Sequence, residues 1–185
     1  MSATSAPFGF RPVYHPSGLD RAKNYTIASA YGTAIYKGDP VILNTNGTVT
    51  IGTAAADLLG HFDGVEYTDS TGKPTWSNYW PAATVATEIT AWVWDDQDIV
   101  YDVQSSGSIA ATAVGDQADV NNISGSSSTG LSTSTLNSTL AGAGSQGQYR
   151  ILGLSPYPDN AWGDAYTIVR VQLARSQFIA NKVAV

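Results

Sequence analysis

The chain has 185 residues, 43% hydrophobic and only 13% charged, with a formal net charge of −6 and an isoelectric point of about 4.6. An acidic balance argues against direct packing on nucleic acid, which needs a basic face. The absence of cysteine excludes disulfides and thiolate zinc sites, and no apolar run reaches the ~18 residues of a membrane-spanning helix.

With 18 glycines, abundant Ser and Thr, and no long stretch of helical periodicity, the composition predicts many short strands joined by turns. The expectation is a mainly β chain folded as a single β-barrel or β-sandwich domain over residues 24–175. An extended N-terminal arm (1–23) precedes it, a C-terminal tail (176–185) follows it, and long surface loops interrupt it.

Residues 1–18 carry Pro7, Pro12 and Pro16, which forbid a regular helix. They also carry Phe8, Phe10, Val13 and Tyr14, more large apolar groups than a solvated tail holds. Two readings follow: an arm packed on its own domain, or one that grips another subunit. The second is preferred, because basic and aromatic residues sit together with little means of folding alone. No basic segment followed by an apolar one opens the chain, so synthesis in a cytosol is expected.

Residues 33–36 and 41–45 read as strands around the Gly38-Asp39-Pro40 turn. Asn46-Gly47, between β-forming residues, predicts a hairpin with a type I′ turn. Residues 53–59 read as a short helix or a loop, and 60–67 as a strand with a Gly at a bend. Residues 68–83 look like an exposed aromatic loop bearing Trp76, Tyr79 and Trp80, which read first as a cap on one end of a barrel and otherwise as a protein contact or a sugar platform. Residues 88–104, EITAWVWDDQDIVYDVQ, read as two strands closed into a hairpin by the acidic DDQD turn, the first strand apolar on both faces and therefore central.

Residues 108–114 resemble 48–54 too weakly to make a repeat. A short strand is expected within 116–121. Residues 122–147 form a Ser/Thr/Gly-rich flap pinned by Leu131, Leu136 and Leu140. Strands return at 148–154 and 165–173, the latter with Thr167, Val169, Val171 and Leu173 on one face. The tail, with Phe178, Ile179, Val183 and Val185, reads as docked on its own sheet.

Charge is unevenly spread. Residues 1–23 hold Arg11, Arg21 and Lys23 against Asp20, and 165–185 hold Arg170, Arg175 and Lys182 with no acid. Every other acid falls between, opposed there by Lys37, Lys73 and Arg150. Basic ends suit an acidic partner surface or the body of a neighbouring copy.

Signals for catalysis are poor. His15 lies in the proline-rich arm and His61 in a strand-like run, the setting of a packed structural histidine. Residues 142–147 match G-x-G-x-x-G without the strand–turn–helix context of a dinucleotide site. Asp95, Asp96, Asp98 and Asp102 lack EF-hand spacing and read as a solvated turn, a weak Ca²⁺ site being the lesser alternative. No catalytic residue, metal ligand or cofactor is therefore assigned.

The ordered motifs carry a resemblance. They are Gly9-Phe10-Arg11-Pro12-Val13, the run from Tyr31 to Val41 (YGTAIYKGDPV), Gly64-Val65-Glu66-Tyr67, Tyr79-Trp80-Pro81, Ala91-Trp92-Val93, STSTLNSTLAGA at 132–143, DNAWGD at 159–164, and Ala180-Asn181-Lys182. Taken together they resemble a group of structural proteins of tailed bacteriophages and prophages generally assigned as capsid cement, or head decoration, proteins. The resemblance implies a non-enzymatic β protein, made in the host cytoplasm, on the outside of the virion head. It would bridge major capsid protein subunits and act as a homodimer or homotrimer, with neither nucleic acid nor membrane as partner. Under that reading Phe8, Phe10, Arg11 and Tyr14 contact the capsid, and Trp76, Tyr79 and Trp80 serve self-association or a second shell contact. The alternatives are a phage tail or connector component, and a glycan or host-surface binding module that uses the Trp76 to Trp80 loop as a stacking platform.

Overall fold

A computed structural model describes residues 2–19 and 21–179. The motif Ala180-Asn181-Lys182 and the apolar Val183 and Val185 lie outside the described residues. In chain order the strands are β1 (Arg11–Tyr14), β2 (Lys23–Tyr25), β3 (Ile35–Tyr36), β4 (Pro40–Leu43), β5 (Val49–Ile51) and β6 (Gly60–Asp69). Next come β7 (Pro74–Ser77), β8 (Tyr79–Trp80), β9 (Ala86–Trp94), β10 (Val100–Gln104), β11 (Gln117–Ala118) and β12 (Val120–Asn121). The last are β13 (Gly125–Ser126), β14 (Leu131–Ser132), β15 (Thr135–Leu136), β16 (Tyr149–Leu154) and β17 (Ile168–Leu173). A single turn of 3₁₀ helix, Ala111–Ala113, stands where the weak repeat was noted, so that segment is no counterpart of β5.

The fold is mainly β and of sandwich type, and the described residues form no closed barrel. A five-stranded sheet has the order β1-β10-β17-β16-β11. A six-stranded sheet has the order β2-β9-β6-β4-β5, with β7 added along the distal half of β6. Three two-stranded ribbons, β3-β8, β12-β15 and β13-β14, complete it. The ladders between named strands are antiparallel.

Two apolar clusters follow from the period-two alternation of these strands. The larger includes Tyr101, Val103, Tyr149, Ile151, Val169 and Val171 of the five-stranded sheet. The smaller joins Val41, Phe62, Val65, Ala91 and Val93 of the six-stranded sheet to Ile35 and Trp80 of the β3-β8 ribbon. Strands β6 and β9 serve both. His61 packs against rings of the larger cluster while Phe62, the next residue, belongs to the smaller. Their cross-strand partners Trp94 and Val93 divide in the same way.

The residues between β9 and β10 overturn the predicted hairpin. β9 pairs with β2 and β6, whereas β10 pairs with β1 and β17. The acidic turn thus carries the chain from one sheet to the other. Trp94 and Ile99, at its two ends, are both buried in the larger cluster, which gives the two strands a shared core rather than a shared ladder. Its acids reach both β2 and their own turn. Asp95 Oδ2 accepts hydrogen bonds from Tyr25 Oη at 2.6 Å and Lys23 Nζ at 3.1 Å, and Asp96 Oδ1 accepts the Asp98 N–H at 2.9 Å.

The β4-β5 hairpin forms where Asn46-Gly47 places it, but not with a type I′ turn. The Gly47 N–H bonds to Asn44 O and the Asn44 N–H to Thr48 O, and Gly47 takes φ +78° while Asn46 keeps a negative φ. A three-residue loop with glycine in the left-handed position results. Residues 53–59 form turns and no helix.

Candidate functional site

The N-terminal arm is part of the domain surface. The Tyr166 N–H donates to Ser2 O at 2.8 Å, and the Ser2 hydroxyl donates to Asp159 O and to the Asp164 carboxylate. Gln104 of β10 donates through Nε2 to Thr4 O at 3.1 Å and accepts the Ala6 N–H at 2.9 Å. Residues 2–6 are therefore held against Gln104 at the end of β10 and against the 159–166 segment. β1 then pairs with β10 at the sheet edge, through Arg11 with Asp102, Pro12 with Tyr101 and Tyr14 with Val100.

This path changes the assignment of Phe10. It is 1% exposed and stacks on Tyr149 at 4.4 Å with His61 at 4.9 Å, so it anchors the arm in the chain's own core and cannot fill a pocket on a partner. The remaining arm residues are accessible. The Arg11 guanidinium lies over the half-buried Phe8 ring at 4.7 Å, and Val13 and Tyr14 are exposed. Among the described residues no carboxylate pairs with Arg11. One face of the arm is spent on folding, and the other forms a strip of Arg11, Val13 and Tyr14 along an open sheet edge.

The aromatic segment is likewise divided. Residues predicted as a loop form β7, which pairs with β6 from Val65 to Thr68, and β8, which pairs with β3. Trp80 is fully buried in the smaller cluster, edge-on to Tyr67 at 5.5 Å, and is no surface platform. Tyr79 is half-buried and stacks on Tyr36 at 5.5 Å. Trp76 alone of the three is exposed.

The flap is tied down at a site that sequence reasoning passed over. Asp39 is 1% exposed. Its carboxylate accepts the Ser132 hydroxyl at 2.6 Å, the Ser134 hydroxyl at 2.9 Å and the Tyr36 N–H at 2.8 Å. Burial pushes its pKa up to about 6, against the opposing pull of those three donors. Beside it, Gly9 has φ +72°, and a Cβ there would lie 2.5 Å from Ser132 Cβ. The Phe10 N–H donates to Gly38 O at 3.1 Å. Arm, β3-β4 turn and flap thus meet at one junction. Of the flap leucines, Leu136 is buried and Leu140 packs partly on the core, but Leu131 is exposed. Nothing local in Gly38-Asp39-Pro40 distinguishes a buried hub from an exposed turn; the only hint was an acid between a permissive glycine and a restricting proline.

His61 is fully buried, with Nε2 2.8 Å from Tyr149 Oη, and burial pushes its pKa down to about 3. It is a neutral packing residue, as its strand-like setting suggested. Among the described residues no cluster of three or more His, Asp or Glu side chains is arranged to hold a metal. Comparison with known proteins finds no matching family model, no matching curated protein and no matching solved structure. The protein is mainly β and of sandwich type, and among the described residues the β1 edge and the neighbourhood of Trp76 are accessible.

Proposed function

We propose that this chain is a structural virion protein of the capsid-cement class, bound to the outside of a tailed-phage head, where it bridges major capsid protein subunits. The observation that carries the reading is the strip on β1. An unpaired strand edge offers backbone hydrogen-bonding groups to an incoming segment. Arg11 and Tyr14 are residue types that dominate interface energetics. The strip is basic while the body behind it is acidic, which favours one orientation against an acidic shell surface. The ordered motif resemblance points the same way. Contacts repeated over many shell subunits would sum through multivalency. The role requires no catalysis, and the protein would be made in the host cytoplasm and end on the virion exterior, acting as a homodimer or homotrimer.

The test uses point variants, because removing the arm would also remove Phe10 from the core. Full-length protein, Arg11→Glu and Tyr14→Ala are mixed with empty expanded heads, and bound copies and head melting are measured. High-copy binding that raises the melting temperature and weakens in both variants supports cement. No binding by the wild type sinks it. Binding at tens of copies confined to one vertex indicates a tail or connector component.

A further inference from the structure

The six-stranded sheet carries a second surface feature, separate from β1. Glu66 of β6 stands across from Trp76 of β7, and Gly64 stands across from Trp92 of β9. A Cβ on Gly64 would come within 3.0 Å of the Trp76 indole, so the missing side chain is what lets the indole lie over β6. Trp76 remains 55% exposed. Between Glu66 and Thr68 the β6-β9 register slips, with one extra residue on β9, and Glu88 in that bulge has φ +52°. A bulge of this kind re-aims side chains. Glu88 faces the same cleft as Glu66, and its Oε2 accepts the Thr68 hydroxyl at 2.8 Å. Glu66 Oε1 accepts Trp92 Nε1–H at 3.3 Å. Both carboxylates are thus oriented by neutral donors, and among the described residues no cation pairs with either. The cleft, bounded also by Pro74, is an open groove of about 590 Å³.

We propose that this cleft is a carbohydrate subsite that takes a neutral pyranose, its apolar ring face on Trp76 and its hydroxyls donating to Glu66 and Glu88. An indole supplies a broad, flat apolar wall at low entropic cost. An ionised carboxylate is acceptor-only with several lone pairs, and each of these two keeps free ones after its single internal bond. Hydroxyl-to-carboxylate bonds are the stronger, charge-assisted kind. The volume lies in the range of small-molecule sites, well beyond what one guanidinium head fills. Exposed ion pairs add little on their own, whereas a sugar ring engages wall and both acceptors together. The site shares no residue with the β1 strip, so the two proposals fail independently.

The test titrates the full-length chain with hexasaccharides of glucose, N-acetylglucosamine and mannose and with lipopolysaccharide-derived polysaccharide, following tryptophan fluorescence and calorimetry. At least one should bind at millimolar concentration or tighter. Trp76→Ala should weaken that binding at least about tenfold, and Glu88→Gln several-fold, with thermal melting retained. For the three neutral hexasaccharides, high salt should leave the affinity intact. Failure of the whole panel overturns the proposal. So does binding that survives Trp76→Ala, or binding only of an oligoarginine probe that high salt abolishes, which would make the cleft a cation site.

Discussion

His61 Nε2 lies 2.8 Å from Tyr149 Oη, joining β6 of the six-stranded sheet to β16 of the five-stranded sheet through the shared core. Phe10 closes on the same pair of rings, so the N-terminal arm, both sheets and the larger cluster converge on a neutral imidazole.

That convergence sets a pH dependence. His61 has its pKa lowered from 6.5 to about 3 by burial, so its contribution to stability is complete above 6.5 and is lost as pH falls toward 3. Asp39 has its pKa raised from 3.8 to about 6, chiefly by burial, so its contribution is complete below 3.8 and is lost as pH rises through 6. Across the interval between, the two oppose each other. His61→Gln should therefore gain stability relative to wild type as pH falls from 6.5 to 3.8, and Asp39→Asn should lose it. The Asp39 effect is about 3 kcal/mol at most. Urea denaturation over a pH series checks this, and profiles parallel to wild type would refute it.

Phe10→Ala should destabilise the free protein by about 3–5 kcal/mol, the usual cost of deleting a buried aromatic side chain. A residue reserved for a partner would leave the isolated chain's melting unchanged. Calorimetry of the unbound protein separates the two.

Removing the donors that hold the flap should loosen it locally. In the double variant Ser132→Ala, Ser134→Ala, the buried Asp39 carboxylate loses two of its partners, at a cost of about 1–3 kcal/mol. Amide exchange should accelerate in residues 124–134 while β16 and β17 stay protected. Uniform acceleration across the chain would show that the flap does not open on its own.

Glycine positions differ sharply in what they tolerate. A Cβ on Gly60 would lie 2.0 Å from Trp94 O, in the β6-β9 ladder beside the point where both clusters meet. Gly60→Ala should cost more than about 4 kcal/mol or prevent folding. Gly142 is exposed and has only Ser145 Oγ, at 4.0 Å, near its would-be Cβ, so Gly142→Ala should stay within about 0.5 kcal/mol of wild type. Thermal melts of the two variants give the comparison directly.

Local pattern was enough for the class of the fold and for several elements. Alternation in residues 165–173 marked β17 and its buried face, because side-chain direction in a strand depends only on position. Asn46-Gly47 located a hairpin, although the loop that forms is longer than the dipeptide suggests. Residues 60–67 showed a strand with a bend, and the β6-β9 ladder does slip at Phe62/Gly64.

By itself, the sequence determined that this protein is mainly β, where its strong strands run, and that its acids sit in the body and its bases at the ends. Only tertiary structure decided which strand pairs with which. β9 and β10 are adjacent, apolar and joined by a short polar turn, yet they belong to different sheets, because extended backbone says nothing of its partner when a common core can bind two strands as firmly as a ladder. The same reason separates buried Phe10 from exposed Tyr14 and buried Trp80 from exposed Trp76. Each pair lies a few residues apart in similar surroundings, and burial was settled by rings and strands far away in the chain: Tyr149 for Phe10, β3 for Trp80.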